Sequence, residues 1–131
     1  MSAIICLIGK ELDCEAVVRM FPGALVSPKQ KQANRSRKAH HQNTASVNIQ
    51  ISRKGLTNVK SQIKDAVVFL QSNKRALHKA LKSKGVEDSF ISFACAQENN
   101  MASFYYFPHE LALLAGELKL GLRLCLFRCS P

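Results

Sequence analysis

A strict two-residue alternation over residues 45–52 restricts the fold more than any other feature. Ala45, Val47, Ile49 and Ile51 are apolar, and Ser46, Asn48, Gln50 and Ser52 stand between them. Successive side chains on a strand point to opposite faces, so this segment has one buried face and one wet face. Antiparallel sheets commonly take this form, packed on one side and solvated on the other.

The rest of the chain is read around that strand. Residues 3–8 form a continuous apolar run ending in Gly9, too short for a helix and suited to a buried strand. Asp13 is a good N-cap, with Leu12 before it and Val17 four residues after it at the spacing of a hydrophobic staple. A short helix is expected from there to about Phe21, where Pro22-Gly23 stops it. Residues 27–44 hold no large apolar side chain and read as an exposed basic polar loop. Asn58 can cap a long helix whose Val59, Ile63, Ala66, Val67, Leu70, Leu77 and Leu81 share one side, with Gly85 as its stop. Whether Ser72-Asn73 divides that helix is left open. Residues 89–97 and 102–107 are expected to form a hairpin around Glu98-Asn99-Asn100. Pro108 suits the first turn of a short helix bearing Leu111 and Leu114. The leucines at 118, 120, 122, 124 and 126 alternate with other residues as one face of a last strand.

The 131 residues fit one domain, residues 1–131, and nearly half are apolar, enough for a core without covalent staples. The expected class is α+β: a single, mostly antiparallel sheet with helices on one face, in the ferredoxin-like order β-α-β-α-β-β-α-β. No stretch approaches the roughly 18 apolar residues that a membrane span needs, and the apolar N-terminal run has no basic flank of a signal segment. The five cysteines are odd in number and lack disulfide-framework spacing. A reducing cytoplasm is the simplest home for such a chain.

The layout resembles a family of small bacterial proteins that share a compact α+β domain of unknown function. The marks are Leu7-Ile8-Gly9-Lys10-Glu11-Leu12-Asp13 at the end of the first strand, then Phe21-Pro22 at the end of the first helix. A polar loop into Ser46-Val47-Asn48-Ile49, the long helix, and Phe107-Pro108-His109-Glu110-Leu111 before the last strand complete them. The resemblance implies the fold class and carries no catalytic residues. The chain departs from it in the loop, where Lys, Arg and His stand in place of Gly and Trp.

Candidate chemistry is sparse. Cys125 and Cys129 lie four residues apart, about 13 Å along a straight strand, too far to share a metal ion. Cys6 and Cys95 sit in apolar strands, where a free thiol behaves as a small hydrophobe. His40-His41 make an open pair with no carboxylate or thiolate near in sequence, and His109-Glu110 could serve as an acid–base pair or simply face solvent. Phe104, Tyr105, Tyr106 and Phe107 could stack on bases, yet on a strand two of them point inward, either Phe104 and Tyr106 or the other two. No nucleophile elbow, phosphate loop or paired acidic motif is present, so no catalytic residue, metal or cofactor is assigned and the chain is read as not an enzyme.

Charge is the feature above background. Nineteen Lys and Arg face nine Asp and Glu, a formal charge of +10. From Ser27 to Lys84 there are 14 basic residues and a single acid, Asp65. Lys29, Lys31, Arg35, Arg37 and Lys38 are in the loop, and Arg53 and Lys54 precede the long helix. At about 100° per residue, Lys60, Lys64, Arg75, Lys79 and Lys82 gather on one flank of that helix, provided it is continuous. Like charge so segregated attracts an anionic partner, though it also suits a solvated face. The expected function is a binding module docking an acidic protein, of immunity or regulatory type. The alternative is a nucleic-acid binder using the loop and helix flank, without any helix-turn-helix, zinc-finger or RNA-recognition signature.

Overall fold

The structure, a computed structural model, describes residues 2–27, 44–97 and 104–128. Five strands and four helices are found there: β1 (Ala3–Gly9), α1 (Cys14–Met20), β2 (Leu25–Ser27), β3 (Ala45–Ser52), α2 (Val59–Ser72), α3 (Lys74–Leu81), β4 (Asp88–Gln97), α4 (His109–Glu117) and β5 (Gly121–Arg128). The strands form one sheet in the order β2-β3-β1-β4-β5. β1 runs antiparallel to β3 and β4, β2 antiparallel to β3, and β5 parallel to β4. The class is α+β as expected. The sheet is mixed rather than mostly antiparallel, and its order is not the ferredoxin-like one.

Register places the core. Ile5 lies opposite Ile49 on one side and Ile91 on the other, so the odd positions of the three central strands share a face. Ile5, Leu7, Val47, Ile91 and Phe93 are fully buried there, against Val17 of α1, Ala66 and Leu70 of α2, Leu77 of α3 and Leu111 of α4. The alternation is used as its pattern demands over 45–51, where Val47 and Ile49 are buried and Ser46, Asn48 and Gln50 are half-buried on the opposite face; Ser52, expected on the wet face, is instead buried where the register with β1 shifts. One buried polar side chain, Gln62 of α2, crosses this core. Its amide donates to the carbonyls of Gly55 at 3.1 Å and Ala94 at 2.7 Å, tying the β3–α2 loop to β4.

Local signals act where expected. Asp13 accepts a hydrogen bond from the Ala16 amide at 3.1 Å, and Leu12 and Val17 are both buried. Asn58 caps α2 by accepting from the Ser61 amide at 3.2 Å. The long helix, however, is divided at Asn73. Its backbone and side-chain amides both donate to the Phe69 carbonyl, at 2.9 and 3.0 Å, and its own carbonyl accepts from Leu77 to start α3. A short amide side chain competing for a backbone carbonyl is the usual reason such a residue interrupts a helix.

Two expected elements are corrected at the C-terminal side. Residues 104–107 are not a strand, because β4 already has β1 on one edge and β5 on the other. The chain instead leaves β4 and turns Tyr105 and Phe107 inward, leaving Phe104 and Tyr106 exposed. Phe107 packs on Phe93 with ring centroids 5.6 Å apart, and the Cys95 thiol donates to the Tyr105 hydroxyl at 2.9 Å. The leucine alternation misleads at its start. Leu118 and Leu120 belong to the end of α4, where the Lys119 amide donates to Gly116 and the Leu120 amide to Ala115 in a Schellman arrangement. β5 therefore begins only at Gly121. As an edge strand it leaves Leu122 and Leu126 about half exposed, so its leucine face is only partly core.

Lys119 holds the position after the helix cap at φ 59°, the left-handed region usually given to glycine. Lys119→Gly is expected to stabilise the protein by about 0.5–1 kcal/mol, measured as a higher urea midpoint. An unchanged or lower midpoint would show that the lysine stem contributes packing that offsets the backbone strain.

Candidate functional site

The basic residues were the first candidates. Lys29, Lys31, Arg35, Arg37 and Lys38 lie outside the described residues. Arg53, Lys54, Lys60, Lys64, Arg75, Lys79 and Lys82 are all exposed. Two ion pairs form among the described residues, Arg19–Glu15 and Lys74–Glu117, and neither uses any of these seven. The single helical flank expected for five of them is corrected by the break at Asn73. Lys60 and Lys64 stand on α2, whereas Arg75, Lys79 and Lys82 stand on α3 and its C-cap. Lys60, Lys64 and the exposed Val68 follow one another at four-residue spacing on α2, so that stripe is basic and then apolar.

Arg53 and Lys54 meet at a second feature, a cleft of about 710 Å³ bounded by the end of α1, β3 and α2. Its apolar wall includes Phe21 and Phe69, tilted rings with centroids 6.1 Å apart. Its polar end holds Ser52, Asp65, Arg53 and Lys54. The Ser52 hydroxyl donates to Asp65 Oδ2 at 2.7 Å and accepts from the Lys54 amide at 3.2 Å. The Ser52 carbonyl in turn accepts from both the amide and the hydroxyl of Ser2, at 3.2 and 3.1 Å. The end of β3 is thereby pinned to the start of β1, and the carboxylate of Asp65 is held in one orientation.

Reading the sequence alone missed this cleft. Ser52 stood in it as one more polar position on the wet face, and Asp65 only as an exception to the basic region. A signal was available: Asp65, Phe69 and Asn73 are four residues apart, on one side of α2, and all three line the cleft. What joins them to Phe21 and Ser52 is the packing of α1 and α2 over β3, which no local pattern records.

Among the described residues the thiols and imidazoles are dispersed. Cys6, Cys95 and Cys125 are free thiols, Cys14 stands at the start of α1, and Cys129 lies outside the described residues. Burial pushes the Cys6 thiol above its ordinary value, opposed by Arg123 and reinforced by Asp88, so it stays protonated at neutral pH. On the sheet face opposite the helices, Arg123 lies over the Phe90 ring at 4.2 Å and donates to the Ser92 hydroxyl at 3.2 Å. That hydroxyl is 3.4 Å from Cys125 Sγ. His109 and Glu110 are both exposed in the first turn of α4, and His40-His41 are outside the described residues. Among the described residues no three His, Cys, Asp or Glu side chains are grouped as a metal ion would require, and no helix is long and apolar enough to cross a membrane.

In comparisons with protein-family models, curated proteins and solved structures, nothing matches this chain.

Proposed function

We propose that this chain is a non-catalytic binding module that docks an acidic protein partner, of the immunity or regulatory type, through its basic surface. The supporting observation is that Arg53, Lys54, Lys60, Lys64, Arg75, Lys79 and Lys82 are all exposed while neither described ion pair engages any of them. Cations left without internal partners are available to an anionic surface and raise its encounter rate. A protein partner is favoured over nucleic acid by the apolar residues set among the cations. Val68 is 61% exposed and Leu56 38% exposed. A phosphate backbone has no use for such side chains, whereas protein interfaces bury apolar residues within a charged rim.

The test compares Lys60→Glu/Lys64→Glu with Val68→Asp in binding to an acidic protein captured by crosslinking and to a 20-nucleotide DNA probe. Docking on a protein predicts that both variants weaken capture about tenfold or more, with Val68→Asp acting through lost apolar contact. Tight DNA binding that falls steeply with salt and ignores Val68→Asp would replace this reading with the nucleic-acid one.

A further inference from the structure

We propose that the cleft between α1, β3 and α2 is a binding site for a zwitterionic small molecule with a hydrophobic tail, a free α-amino acid with an aromatic or large aliphatic side chain. This goes beyond the docking surface and does not depend on it. Three observations converge. The cleft volume, about 710 Å³, lies within the roughly 300–1,000 Å³ typical of small-molecule sites. One wall is apolar and aromatic, carrying Phe21 and Phe69, as such sites are for the greater part of a ligand's surface.

The polar end is the informative part. Asp65 is the only acid between Ser27 and Lys84, and it shares the cleft with Arg53 and Lys54. Yet neither described ion pair joins the carboxylate to either cation. Charges of both signs therefore line one end of one cleft without neutralising one another. Ser52, 4% exposed and itself fastened through its carbonyl to Ser2, donates to Asp65 Oδ2 and thereby orients the carboxylate. A ligand carrying an ammonium and a carboxylate on one carbon satisfies this end: its ammonium donates to Asp65, and its carboxylate accepts from Lys54 and Arg53. Its side chain then lies along the aromatic wall. A plain anion would meet the Asp65 charge, and a plain amine the two cations. The pairing of signs is what selects a zwitterion, since a like charge set opposite a fixed charge is strongly disfavoured.

Isothermal titration of the intact protein with L-phenylalanine tests this, with 2-phenylethylamine and 3-phenylpropanoate as probes lacking the carboxylate and the ammonium. L-Phenylalanine or L-leucine is expected to bind at least tenfold more tightly than either truncated probe, and more tightly than L-serine. Asp65→Asn is expected to lose at least tenfold in affinity for L-phenylalanine. Because that substitution alters a carboxylate bonded to buried Ser52, Arg53→Ala/Lys54→Ala, at two exposed positions, provides a second variant with the same expected loss. No binding of either hydrophobic amino acid at about 10 mM, some tenfold above a millimolar Kd, would overturn the proposal. So would equal binding of the truncated probes, or affinity unchanged in both variants. Lys60→Glu/Lys64→Glu leaves the cleft untouched, so loss of partner capture with amino-acid binding intact separates a failure of the docking reading from a failure of this one.

Discussion

Gly85→Ala is expected to destabilise the protein by more than about 3 kcal/mol, one of the two largest effects of any single substitution considered. Gly85 adopts φ +92°, a conformation that L side chains rarely take, and a Cβ placed on it would stand 2.1 Å from the Glu11 carbonyl oxygen. The obstacle is backbone on both sides, so no rotamer change relieves it. Gly9 meets the same link at a second point, since its Cβ would lie 1.7 Å from the Gly85 oxygen. The end of β1 and the link from α3 to β4 are thus seated backbone against backbone, with the Glu87 amide donating to the Ile8 carbonyl at 2.8 Å. Equilibrium urea unfolding measures the cost. Gly9→Ala should match it in size, and the double variant should cost clearly less than the two added, because both displace the same link between α3 and β4 from the end of β1. A loss under about 1 kcal/mol for Gly85→Ala would mean that the link swings away freely, contrary to the seating described.

Phe93→Ala is expected to cost about 3–5 kcal/mol, the range for removing a large, fully buried aromatic ring. The ring does two jobs. It fills the middle of the helix-covered face, and it receives Phe107, which holds residues 104–108 against β4. The stability loss should therefore be accompanied by faster proteolysis between Phe104 and Pro108 under native conditions. Phe104→Ala is the control: at 92% exposed it should change stability by no more than about 0.5 kcal/mol. If Phe93→Ala lowered stability without exposing that segment, Tyr105 and its hydrogen bond to Cys95 would be holding the segment alone.

The same segment shows where a pattern in the chain stops being informative. The segment 102–107 reads as a strand because its run of four aromatics, Phe104 to Phe107, favours one. A strand also needs a free neighbouring edge, and β4 has none left. The alternate side chains still point inward and outward as period two requires, so the alternation is real while the element is not. Leu118 and Leu120 give the converse case. Their spacing matches the leucines of β5, but the reversal at Lys119 ends a helix there, and both side chains are buried beneath its last turn. β2, three exposed residues long, carries no pattern of its own; it exists because the edge of β3 accepts it.

The candidate sites divide similarly. That the middle of the chain is rich in unopposed cations is plain in composition, and their exposure follows from the cost of burying a charge. Their arrangement was not plain, because one side-chain amide at Asn73 splits the helix on which five of them depended. The cleft was harder still to see. Phe21, Ser52 and Asp65 come from three separate elements and have nothing in common along the chain.

Caps, turns and the choice of buried face were legible from the residues because each is set within a few positions, by side-chain period or by one hydrogen bond to a near backbone group. Strand neighbours, the parallel pairing of β5 and the meeting of Ser52 with Asp65 were not. They depend on which edges and faces remain free once the other elements have packed, and that competition is settled between segments distant in the chain, through the burial of one common core.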